Sequence, residues 1–396
     1  THVKVMDKET PPALGSAVFA GYGAFFRHGY NTPHESLFHM FAGRCDGHCE
    51  WEADQVTYTY YAKGMPINLS FGNGYFPMFC RPWLRNRVSF PMMIEVSERN
   101  DTGMSATALS GDSDYVRAYR SVDLLREMID EYPVLNDKGA WSDEEKRNWP
   151  GPEKQKLVPI PISTWYRQAV LMKDPDPAGA GNYLVIADAF GGTPTRATNC
   201  TFWFLANAMK QDGPVCRFDG QIGVDMDVFV NTPENPTVET GQYGHVNQPY
   251  GRMVKDDMKQ YPDGKRQERQ LFMRLNQPRG KGYFTVLYPR LKGKDAPATF
   301  TRLSDRATQV ETAYSKDIML LDAWPFDFKN GDVEFSGTAA SVRFLKSGGV
   351  IVTNYEGALA LTVSGKKVTA SGPVRVLIGA KTEVTPLAEG ATATVE

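Results

Sequence analysis

Four ionisable side chains fall at every second position of one short segment: His48, Glu50, Glu52 and Asp54, within RCDGHCEWEADQ. In an extended backbone alternate side chains share a face. These four then point one way, and Cys49, Trp51 and Ala53 point the other. An imidazole and three carboxyl groups crowded on one strand face repel each other unless a positive group faces them. A metal ion, an arginine or a charged substrate could supply it. The competing reading is an edge strand with a solvated acidic face. Trp51 and the aromatic run after it argue instead for a packed position.

The natural counterpart is Arg85-Asn86-Arg87, just before a predicted strand, because strand ends carry sites on a rigid scaffold. Arg85 could pair bidentately with Glu50 or Glu52, or clamp a substrate carboxylate. A plain surface arginine cluster is the alternative. His28, His34 and His39 lie in an aromatic stretch where packed imidazoles are usual, yet near a cleft they could touch a sugar. His245 sits in a Gly-rich loop and could reach the same cleft, with a plain loop histidine as the simpler reading. Asp225 and Asp227 alternate in VDMDVFV, as a paired acid or as solvated face residues. Cys45, Cys49, Cys80, Cys200 and Cys216 are odd in number and lack the second close pair of a zinc site. Buried free thiols are expected.

The elements that must position these groups read mostly as strands. Residues 55–62 (QVTYTYYA), 87–96, 183–187 (YLVIA), 284–288 (FTVLY) and 318–321 are β-branched or aromatic runs bounded by turn formers. One helix is expected over 121–131, with Ser121 as N-cap, Val122, Leu125, Met128 and Ile129 on one face, and Pro133 ending it. Residues 141–161 are charged and proline-rich, as in a surface excursion. From residue 332 short alternating strands punctuated by Gly and Lys run to the end. The pattern predicts an all-β chain. A large antiparallel β-sandwich spans 1–325, and a small antiparallel β-unit spans 326–396.

At 396 residues the chain can bury a large core. A net charge of −2 offers no general attraction for nucleic acid, and no apolar run is long enough to cross a bilayer. The chain begins at Thr1 rather than Met, as a processed protein or a domain fragment would.

The layout Asp54, Tyr60, Lys63, Gly64, Pro66, Asn68 and Tyr75, followed by Arg85-Asn86, resembles that of heparinase II/III-like polysaccharide lyases. Trp165 to Lys173, then Tyr183 to Asp188, is similar to a later strand pair of that family. The resemblance implies the C-terminal sandwich of a lyase that cleaves a uronic-acid glycan by β-elimination. It also implies an acidic polysaccharide or oligosaccharide as partner, a helical toroid domain upstream, and an extracellular or periplasmic location. Such chemistry needs the uronate carboxylate neutralised, a base for the adjacent proton, and an acid for the leaving oxygen. His48 is the candidate base or acid, Tyr75 a donor, and Arg85 and Asn86 the carboxylate clamp. Glu50, Glu52, Asp54, His39 and His245 are candidate substrate contacts. The family's two histidines fall on Glu50 and Glu52, and its metal-ligand positions on Glu52, Asn68 and Arg85. Guanidinium has no lone pair for a metal. No cofactor is therefore expected, with Arg85 standing in for zinc; zinc or calcium elsewhere is the alternative. A carbohydrate-binding sandwich without chemistry, and a glycoside hydrolase using two carboxylates, are the competing functions.

Overall fold

The computed structural model describes residues 14–43, 55–70, 82–91, 93–95, 101–127, 156–192, 196–244 and 269–396. Among them the only helical element is a single 3-10 turn, Pro82–Leu84, and every strand pairing is antiparallel. The fold is all-β.

The strands stack in three layers. One sheet holds Gly23–His28, Ser36–Phe41, Thr57–Ala62 and Met65–Asn68. The second holds Ser113–Glu127, Leu157–Met172, Tyr183–Gly192, Tyr283–Leu291 and Val224–Thr232. The long Thr198–Asp212 strand serves both. Residues 198–205 pair with Arg269–Gln277 in the first sheet, and residues 206–212 pair with Val215–Gly220 in the second. The third sheet begins with Thr299–Ser304 and ends with Ala393–Val395. The strands over residues 299–325, grouped by sequence with the large sandwich, belong to this third sheet and join the strands after 326 through Ser315–Lys329.

The middle position of the second sheet explains its composition. In Tyr183–Gly192, Leu184 and Ile186 pack into the core shared with the first sheet, beside Phe26, Phe38 and Tyr60. Tyr183, Val185 and Ala187 pack the other way, against Met319, Leu321 and Tyr355 of the third sheet. A strand covered on both faces reads as a continuous apolar run rather than an alternating one. The third sheet also curls over a core of its own, built on Ile318, Leu320, Val342, Val352 and Leu361.

Two expectations are corrected. Residues 121–127 are the end of the Ser113–Glu127 strand, not a helix; residues 128–131 lie outside the described residues. The strand pairs with Leu157–Met172 along most of its length, and the register slips between Pro159 and Ser163. Across that slip Val122 and Leu125, three apart, both turn inward against Phe90 and Met93. Their spacing imitates a helix, and the tertiary ladder overrides local preference. Of the supposed excursion, residues 157–161 belong to the same ladder.

The Lys63-Gly64 turn shows how tightly the sheets are fixed. Both residues have positive φ (51° and 83°) between Thr57–Ala62 and Met65–Asn68, as a two-residue hairpin requires. A Cβ on Gly64 would lie 2.0 Å from the Pro33 carbonyl oxygen. The fully buried Lys63 ammonium meets Asp295 at 2.5 Å, tying this hairpin to the chain beyond Tyr283–Leu291.

Candidate active site at the strand ends

His48, Glu50, Glu52 and Asp54 lie in 44–54, Tyr75 in 71–81 and His245 in 245–268, all outside the described residues. The described residues fix where those segments leave and rejoin the fold. Ser70, the last before 71–81, has its hydroxyl 3.1 Å from that of Thr57, which follows closely on 44–54. The same hydroxyl accepts the backbone N–H of Asn86 at 3.3 Å. Asn68 pairs with Phe204. The neighbouring Leu205 pairs with Gln270 and Gln270 with Tyr243, flanking 245–268. Three segments distant in sequence are thus rooted at one place on the first sheet, beside Arg85-Asn86.

Asn86 is fully buried and its amide is engaged on both sides. Its Nδ2 donates to the Tyr58 carbonyl at 3.0 Å. Its Oδ1 accepts from the Trp203 N–H at 2.7 Å and from Asn68 Nδ2 at 3.3 Å. An amide buried and bonded in this way joins strands and is withdrawn from solvent. Arg85 follows the Pro82–Leu84 turn and is itself buried, only 5% exposed.

Beneath lies a charged layer that the sequence did not disclose. The Arg87 guanidinium grips both Glu95 oxygens (2.7 and 2.6 Å), and Arg120 reaches Glu95 at 2.7 Å. Arg120 also donates to Gln55, which takes a second bond from Thr102 at 2.8 Å. Burial pushes the Arg87 guanidinium down, and Glu95 opposes the shift. Arg167 forms a bidentate pair with Asp188 (2.7 and 2.9 Å), directly opposite it in register. Burial alone would lower the Arg167 guanidinium, but the Asp188 carboxylate holds it above its usual value. Trp165 donates to the same carboxylate at 2.8 Å and lies under both Arg87 and Arg167, about 5 Å from each. Arg120 precedes the expected helix over 121–131 and lies in a strand that the sequence reading does not mark. The available signal for Arg167 and Asp188 was a charge inside each of two otherwise apolar runs.

The other candidates separate from this place. His39 points out of the first sheet, stacked on Phe25 at 4.2 Å and on Tyr22 at 5.9 Å. Asp225 and Asp227 are ion-paired, Asp227 with Arg290 (2.9 Å) and Asp225 with Lys292 (3.1 Å). Cys200 and Cys216 are buried free thiols, and burial pushes Cys216 up to about 12. Among the described residues Asn68 Oδ1 is buried without a hydrogen-bond partner, and the guanidinium of Arg85 has no lone pair to offer a metal. Among the described residues no three His, Cys, Asp or Glu side chains gather as a metal would need.

His28 and His39 are both held below the ordinary imidazole value, chiefly by burial; Lys173 adds to the effect at His28. The folded imidazoles then stay neutral where the unfolded chain takes up protons. Their stabilisation is complete above about pH 6.5 and is lost as pH falls through the window down to the folded values. The variant His39→Phe keeps the stack and removes one titrating group. Its urea midpoint is expected to change less than that of the parent between about pH 7 and about pH 5. An unaltered pH dependence would rule out His39 as a source of the acid loss.

By sequence, the chain matches no family model and no curated protein. By structure it is similar to the heparan sulfate lyase HepC from Pedobacter heparinus, with a TM-score of 0.51 and 9% identity, covering 80% of this chain and 44% of that one. It is likewise similar to a heparinase III, the BT4657 gene product, with a TM-score of 0.51 and 13% identity, covering 86% and 43%. The fold is heparinase-like, and the chain spans less than half the length of either structure. No helix among the described residues is long and apolar enough to cross a membrane.

Proposed function

We propose that this chain is the β-sandwich portion of a polysaccharide lyase that cleaves a uronic-acid-containing glycan by β-elimination. The observation that carries the proposal is the likeness of fold to a heparan sulfate lyase and a heparinase III over 80% and 86% of the chain. The common root of the segments bearing His48, Tyr75 and His245 beside Arg85 supports it.

In the reaction a base removes the proton next to the uronate carboxyl. The electron pair forms the new C=C bond, and the 4-linked oxygen leaves with a proton. The proton becomes acidic enough only when the carboxylate is neutralised. Arg85 is assigned the neutralising role, with Glu52 orienting it in place of a metal. His48 moves the proton at the reacting carbon, and Tyr75 donates to the leaving oxygen. Glu50, Asp54 and His245 contact the sugar. Asn86 positions Arg85 through the strands it joins. An upstream helical toroid and an acidic polysaccharide are the partners, without nucleic acid, membrane or cofactor. The site of action is extracellular or periplasmic.

The test is incubation of the chain with a panel of uronate glycans, following the ultraviolet absorbance of the unsaturated uronate. Arg85→Ala is expected to lower kcat/KM by about 10²–10³-fold, with Arg85→Lys recovering part of it. New reducing ends without that absorbance would instead identify a hydrolase. Glycan binding without turnover would favour a second reading, a carbohydrate-binding sandwich. That reading is favoured by the burial of Asn86 and Arg87, which withdraws both from substrate.

A further inference from the structure

The second and third sheets do not close on each other everywhere. They leave a groove of about 220 Å³, bordered by Arg306, Asp322 and Trp324 on one side and by Lys281 and Ala189 on the other. Its origin is a break in register of the Ser315–Lys329 strand between Leu321 and Phe326. Pro325, inside the break, has no N–H for a ladder, and such irregularities re-aim side chains. Here the effect is to turn an indole outward. Trp324 is 44% exposed, whereas Trp83, Trp165 and Trp203 are at most 5% exposed.

The indole is also held. It meets Tyr166 edge-on at 5.6 Å and 81°. It lies against Gly191, where a Cβ would stand 3.2 Å from its ring and 3.1 Å from that of Tyr166. A fixed, exposed aromatic face at the mouth of a groove suits stacking against the C–H face of a sugar ring. The volume is below the roughly 300 Å³ of pockets for drug-sized ligands, so it takes a single ring.

The charges select among sugars. Every acid on the groove already has an arginine: Asp188 with Arg167, Asp305 with Arg302, and Asp322 with Arg306. The side chain of Arg306 is 54% exposed, so it bridges buried Asp322 and solvent. Lys281 is exposed, follows the positive-φ Gly280, and has no carboxylate partner among the described residues. The unmatched charge at the groove is therefore positive.

We propose that this groove binds a saccharide unit carrying a carboxylate, a uronic acid, with its ring on Trp324 and its carboxylate at Lys281 and Arg306. The choice of ligand rests on the indole and the cations, not on the lyase proposal. The second and third sheets build the groove, whereas Arg85 and the roots of the catalytic segments lie on the first sheet, so occupancy and elimination are separable.

Saturation-transfer NMR and calorimetric titration of the full chain with D-glucuronate and D-glucose test this. Glucuronate is expected to bind saturably with a millimolar Kd, and glucose about tenfold more weakly. Trp324→Ala removes both signals, and its far-ultraviolet circular dichroism stays unchanged because the side chain lies outside the cores. Gly191→Ala, which displaces the indole without deleting it, weakens both sugars. Lys281→Ala brings glucuronate to the level of glucose. Arg85→Ala leaves the Trp324-dependent part of glucuronate binding intact. Equal affinity for the two sugars, or no saturable binding, overturns the proposal. Binding that survives Trp324→Ala but is lost in Arg85→Ala also overturns it, while leaving the lyase proposal standing.

Discussion

Replacing Arg167 with alanine is expected to lower the unfolding free energy by about 3–5 kcal/mol, the usual consequence of removing one partner of a buried ion pair. Both side chains of the Arg167–Asp188 pair are fully buried. Without the guanidinium the Asp188 carboxylate keeps only the Trp165 N–H and the weak Cys200 thiol contact. The Asn86 carbonyl also loses its donor at 2.6 Å. The damage spreads because Arg167 spans the two sheets: it donates from the second to the Val56 and Asn86 carbonyls of the first. A second change, Asp188→Asn, should recover part of the loss, since a neutral amide no longer needs a counter-charge. Urea unfolding with an unchanged m value is the measurement. A loss under about 1 kcal/mol, or no recovery in the double variant, would show that the pair is not what joins the sheets.

Arg343→Met should have an effect of similar size, about 3–5 kcal/mol, at the other face of the second sheet. The Arg343 guanidinium takes both oxygens of Asp317 (3.0 and 2.9 Å) and donates to the carbonyls of Gly181 and Lys173. Tyr183 donates to the same carboxylate at 2.6 Å. One cation in the third sheet thus closes the turn before Tyr183–Gly192 and an acid of its own sheet. Its loss should also loosen the joint between layers. Calorimetry is expected to show two transitions in the variant where the parent shows one. A single transition at an unchanged temperature would contradict that role. Asp317→Asn, which keeps an acceptor beside Arg343 and Tyr183, should cost less.

These two networks mark the limit of what the residues announce in one dimension. Arg167 and Asp188 each sit in an apolar run, and nothing local says that they will be directly opposite in register. Glu95 and Arg120 are 25 residues apart, and their meeting depends on a strand whose end reads as helix. The spacing of Val122 and Leu125 fits a helix face, and a slipped ladder accommodates it equally well. Arg85-Asn86 was located as a strand-end feature, but the amide of Asn86 is taken up by Tyr58, Asn68 and Trp203, which come from three separate strands.

By itself the sequence determined the class of the fold, through β-branched and aromatic runs closed by turn residues. It also determined the terminal strands at 350–354, Leu359–Val363 and Val374–Ile378 and the end of a strand at Lys63-Gly64. These are decided within a few residues, by side-chain alternation and by backbone angles. Only the tertiary structure decided which charges are buried together, which layer covers both faces of Tyr183–Gly192, and that Trp324 stands exposed beside a groove. Those outcomes depend on pairing register between distant strands, and a register is fixed by the sum of contacts along a ladder rather than by any residue in it.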